Sequence, residues 1–157
     1  MLFFLMTTAI TAAANEYKSN VKWEYKTVNI TMCSDAKVTK DQVLASIKFW
    51  SKENHPGIKS VSTKINFASP SDISCQRGWK YGHILIAGQR DINTTEENGS
   101  CQYWHNPDTN ELVSAFIRID NGLSHNKKGK TLTHEIGHAI GLQHEYKDVG
   151  NIMFHTK

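Results

Sequence analysis

Residues 134–144 read HEIGHAIGLQH. In a helix each residue advances about 100°, so His134 and His138 stand about 40° apart and about 6 Å along the axis, on one face. Both imidazoles can reach one ion, and Glu135 is near enough to address that ion's solvent side. A helix continued to His144 would carry its side chain about 600° round and about 9 Å on, away from the ion. Gly141 resolves this, because a glycine that accepts positive φ ends the helix and turns the chain back. The spacing H-E-x-x-H-x-x-G-x-x-H thus gathers three imidazoles round one cation. Three neutral, borderline-soft nitrogens with a fourth position open favour a catalytic Zn²⁺ over a closed structural site. Such an ion lowers the pKa of its bound water to about 7. Glu135 is then the expected general base, taking that proton and returning it to the leaving amine. By the chain's own composition, chance places this pattern in roughly 6 of 100,000 such sequences, so packing alone is a poor account of it.

The segment resembles the metzincin clan of zinc metallopeptidases, whose extended zinc-binding motif it matches without substitution. Asn151-Ile152-Met153 resembles the clan's Met-turn, which implies Met153 beneath the zinc ligands. The short link from His144 to Met153 resembles the matrixins, whereas Glu145 directly after the third histidine resembles the astacins. The likeness is therefore to the clan, with no one family singled out. It implies an α+β, zincin-like fold: a mixed, twisted sheet of about five strands, a backing helix, an active-site helix and a minimal C-terminal part. It also implies one catalytic domain over residues 15–157 and one Zn²⁺ per chain, held by His134, His138 and His144. The implied activity is that of a secreted zinc metalloendopeptidase with Glu135 as base. In astacins and serralysins a tyrosine two residues beyond the Met-turn methionine can reach the zinc or the tetrahedral intermediate. His155 occupies that offset here and is a candidate transition-state contact. By the same resemblance Glu145 is a candidate partner for a new amino terminus near Asn15. The competing reading is a zincin scaffold kept as a binding or inhibitory module with little hydrolysis, and a zinc-sequestering domain is a third. Glu135 favours the peptidase, since a non-catalytic metal site gains nothing from a carboxylate beside its open position.

Upstream, the apolar periodicity switches between two and 3.6. Lys26–Cys33 alternates as a half-buried strand. Thr39-x-x-Gln42 is a capping box, and Val43, Leu44, Ile47 and Trp50 follow at helical spacing, so residues 40–53 form an amphipathic helix. It stops at Asn54-His55-Pro56-Gly57. Val61–Phe67 alternates as a second strand, and the order strand, helix, strand suggests a parallel crossover. His83–Ala87 carries the continuous apolar run of a central strand covered on both faces. Residues 88–98 form a polar surface loop. Ser100–Trp104 and Leu112–Ile119 flank the turn Asn106–Asn110 as a hairpin. Ser100, Gln102, Tyr103 and Trp104 form the edge to which an extended substrate can add a strand. Residues 121–130 are a loop rich in glycine, asparagine and lysine, after which Thr131 opens the last helix.

The remaining composition bounds the setting. The chain has 157 residues, 39% hydrophobic and 21% charged, which suits one globular domain. A net charge of +3 with no arginine-rich arm argues against nucleic acid. Residues 1–14, an apolar run ending in Ala12-Ala13-Ala14, read as a secretory signal peptide, with only the terminal amine as its positive region. The expected location is secreted, extracellular or periplasmic, with no membrane attachment after signal removal. The expected state is a monomer whose partner is a protein or peptide substrate. The three cysteines then make one disulfide and one odd thiol. Cys75 and Cys101 are the preferred pair, as both lie in polar, loop-like sequence. Asn29, Asn93 and Asn98 each begin an N-x-[ST] triplet, although Asn29 lies inside a predicted strand.

Overall fold

A computed structural model describes residues 22–89 and 98–154 of the chain. Its elements are β1 (Val28–Met32), α1 (Lys40–Lys52), a 3₁₀ turn (Pro56–Ser60), β2 (Val61–Phe67), α2 (Ile73–Arg77), β3 (His83–Gln89), β4 (Gly99–His105), β5 (Leu112–Asp120) and α3 (His125–Ala139). They form an α+β unit around one five-stranded mixed sheet in the order β2-β1-β3-β5-β4. β1 pairs parallel with β2 and β3, and β3 pairs parallel with β5. β4 runs antiparallel to β5 and is an edge strand. The predicted signal at residues 1–14, Asn15, the first part of the lead-in, the glycosylation triplet at Asn93 and His155 lie outside the described residues.

The local sequence explains most of these elements. Thr39 accepts from the Gln42 amide while the Gln42 side chain accepts from the Thr39 amide, so both ends of the capping box are closed. The β1–α1–β2 unit is a parallel crossover, as its strand–helix–strand order suggests. In β3, Ile84, Leu85 and Ile86 are all fully buried, as expected of a central strand covered on both faces. Val28, Ile30, Ile84, Ile86, Ala115 and Ile117 face the helices and meet Val43, Ile47, Trp50, Leu132 and Ile136 in the main core. α1 packs on α3 and β2, while α3 packs on β4 and β5, so both long helices lie on that face of the sheet.

Two expectations need correction. The last helix begins at His125 rather than Thr131, six residues earlier than its apolar periodicity shows. Tertiary contacts draw this polar stretch into the helix. Gln42 donates to the His125 carbonyl at 2.8 Å, and Trp50 Nε1 donates to the Thr133 carbonyl at 2.8 Å. The disulfide joins Cys33 to Cys75, with Cα atoms 5.8 Å apart, and Cys101 is the free cysteine. Cys33 follows β1 near the sheet's centre, and α2 brings Cys75 to it. Cys101 pairs with Ile117 in the β4–β5 register, and its side chain lies on the helical face of the sheet. Loop-like composition said nothing about these opposite placements.

Gly78 closes α2 with φ of 74° and lies so near Phe116 that a Cβ would fall 2.7 Å from the ring. This turn holds α2 across the sheet's second face. Among the described residues no helix is long and apolar enough to cross a membrane. That fact and the disulfide are compatible with an extracellular location.

Candidate metal centre

α3 ends in a way that builds the site. Gly141 has φ of 101°, where a side chain would be strained. The Leu142 amide donates to the Gly137 carbonyl and the Gly141 amide to the His138 carbonyl, each at 2.9 Å. These two bonds are the Schellman pattern of a helix end, with Leu142 fully buried as its apolar anchor. The turn sends the chain back so that His144 returns to the two histidines of α3. The Nε2 atoms of His134 and His138 are 3.1 Å apart, and those of His138 and His144 are 3.0 Å apart. The ligand atoms of the three side chains all lie within 4.8 Å of one another.

Hydrogen bonds to the far side of two rings decide which nitrogens point inward as lone pairs. His134 Nδ1 lies 2.8 Å from the Ile152 carbonyl, and His138 Nδ1 lies 2.8 Å from the Leu142 carbonyl. A carbonyl can only accept, so each Nδ1 carries the proton. In the neutral rings each Nε2 then presents a lone pair to the common centre. Lone pairs this close repel unless a cation lies among them. Tetrahedral ligation at a Zn–N distance of about 2.0–2.1 Å would set such nitrogens about 3.3 Å apart, near the spacing here. The donor set therefore fits a zinc ion. The carbonyl partners are the outer-shell contacts that fix ring orientation in metal sites.

Met153 packs against α3. It is fully buried, and a Cβ on Gly137 would collide with its sulfur and lie 2.8 Å from Trp50 Cζ2. Gly137 is thus the gap through which the methionine packs against α3. The Glu145 amide donates to the Met153 carbonyl at 2.8 Å, which ties the segment after His144 to the turn at 151–153. The Glu145 carboxylate accepts from the Tyr146 and Lys147 amides and so serves its own loop.

Glu135 is 5% exposed and lies against β4. A Cβ on Gly99 would come within 3.1 Å of its Oε1 and 2.6 Å of the Thr131 methyl, so only glycine lets the edge strand approach this closely. Burial pushes the Cys101 thiol well above its ordinary value, and the nearby Glu135 carboxylate adds to the effect, so it stays a thiol rather than a nucleophilic thiolate.

A cleft of about 560 Å³ runs between α3 and β4. His134, Glu135, His138 and His144 line it with Ser100, Cys101, Tyr103, Lys130 and Thr131. Of the edge-strand residues singled out in the sequence, Ser100 and Tyr103 border the cleft. Gln102 accepts from Arg118 at 3.0 Å and Trp104 pairs with Ser114, both with β5 and outside the cleft lining. Sequence reasoning did not find the cleft positions of Lys130, Thr131 and Gly99. The i−4 spacing of Lys130 from His134 was an available signal masked by reading 121–130 as loop, whereas that of Thr131 from Glu135 lay within the expected helix. No protein-family model and no curated protein matches the chain.

Proposed function

We propose that this protein is a secreted zinc metalloendopeptidase with a metzincin-like catalytic domain. The observation that carries the reading is the convergence of three Nε2 atoms within a cleft that also holds the buried carboxylate of Glu135. His134, His138 and His144 would hold the zinc. When bound, zinc supplies Lewis-acid polarisation of a substrate carbonyl and makes water acidic near neutral pH.

The remaining chemistry belongs to the chain. Glu135 accepts a proton from the attacking water and passes it to the departing amine, a role that needs a carboxylate held in one place. The close approach of Gly99 provides that fixed position. β4 offers the backbone groups of its outer edge to an extended peptide, and a cleft along a sheet edge suits cleavage within a chain. The metzincin assignment and the zincin-like fold rest on the HEIGHAIGLQH motif, the Met153 packing and the α3–β4 arrangement taken together.

Purified protein should cleave casein or gelatin, lose that activity to a chelator and regain it with zinc. Glu135→Gln should abolish hydrolysis while zinc stays near one per chain. Zinc binding without hydrolysis in the wild type would instead favour the non-catalytic binding module. Wild-type turnover in Glu135→Gln would refute the role of Glu135.

A further inference from the structure

Lys130 stands one helical turn before His134 on the same face of α3, and Thr131 stands one turn before Glu135. Both line the cleft, so the cleft continues from the histidines toward the N-terminal half of α3. Among the described residues, and apart from the histidines, the charged side chains of its lining are Lys130 and Glu135. Glu135 is buried against Gly99, whereas Lys130 is exposed. A substrate side chain entering this end therefore meets a cation.

The surroundings reinforce that sign. α3 carries Lys127, Lys128 and Lys130 before its one acidic residue, Glu135, and has no acid in its first turn. Asn98 and Thr131 border this end of the cleft and supply polar groups rather than a deep apolar socket. A carboxylate finds an ammonium and hydrogen-bonding neighbours there, while an ammonium group is repelled.

We propose that Lys130 makes this cleft selective for an acidic substrate side chain, placed on the side of the cut bond that faces the N-terminal half of α3. The inference rests on the peptidase reading and extends it to substrate class. Charge attraction at a partly exposed site gives a moderate preference that salt weakens.

The test uses the zinc-loaded full chain and matched fluorogenic peptides in which Glu, Gln or Lys is scanned through positions on both sides of the cut. At one position kcat/KM should favour Glu over Gln by about fivefold, falling toward one in high salt. In Lys130→Gln the Glu/Gln ratio should fall to about one, and in Lys130→Glu it should invert so that Lys peptides lead. Binding of the same uncut peptides to zinc-loaded Glu135→Gln should show the same order. If neutral peptides are cleaved but the Glu/Gln ratio is one at every position, or is unchanged in Lys130→Glu, this proposal fails and the peptidase reading stands. If no peptide is cleaved in a chelator-sensitive way, the peptidase reading fails and takes the proposal with it.

Discussion

Gly137→Ala tests the packing of Met153 against α3. In an open helix interior this change stabilises by about 1 kcal/mol, because alanine loses less backbone freedom than glycine. Here the new methyl would collide with Met153 Sδ and lie 2.8 Å from Trp50 Cζ2. Both neighbours are buried, and Trp50 is held by its bond to the Thr133 carbonyl, so neither can give way cheaply. Overpacking of this kind costs about 1–3 kcal/mol, which should offset or outweigh the helix gain and leave a net loss of up to about 2 kcal/mol. Met153→Ala alone should cost about 2–5 kcal/mol through the cavity it opens. In the double variant the alanine methyl projects into that cavity, so the losses should fall short of additive by about 2 kcal/mol. Urea unfolding of the zinc-free proteins measures all four corners of the cycle without metal linkage. A separate consequence concerns the metal. Displacing Met153 shifts the neighbouring Ile152 carbonyl that orients His134, so zinc affinity in Gly137→Ala should fall by about tenfold in a chelator competition assay. Gly137→Ala more stable than wild type, or strictly additive losses, would refute the packing argument.

Removing the Cys33–Cys75 bridge by alanine at both positions frees a 42-residue separation and should cost about 4 kcal/mol by loop entropy, read from urea midpoints. Thiol titration should find Cys101, half-buried in the cleft and with its thiol held well above its ordinary value, slower to react in the native protein than after unfolding. Burial lowers the pKa of His83, nearby Lys80 lowers it further and Asp72 opposes them, so folding favours the neutral ring. Its contribution to stability is then present above the unfolded value near 6.5 and is lost as pH falls below it, and His83→Gln should flatten that part of the stability–pH curve. Gly99→Val should lower hydrolysis more than zinc binding, since the added side chain strikes Thr131 and Glu135 rather than the histidines.

How far the sequence speaks for this protein depends on the range of the interaction concerned. The capping box at Thr39, the alternation of Val61–Phe67 and the apolar run of β3 are local patterns, and each gives an element close to its observed limits. The spacing of HEIGHAIGLQH is also local: two histidines share a helix face, and Gly141 with its positive φ returns the third. Composition alone could not pair Cys33 with Cys75, because that contact depends on where α2 crosses the sheet. Nor could periodicity show that His125–Lys130 is helical, because bonds from α1 stabilise a polar stretch with little apolar pattern of its own. The place of Gly99 against Glu135, of Met153 under Gly137 and of Lys130 in the cleft arises where separate elements meet. The sequence by itself determines the three imidazoles and the carboxylate beside them, since one helix and one turn suffice to assemble them. Only the tertiary structure decides what walls the cleft, because β4 and α3 bring together residues that are far apart along the chain.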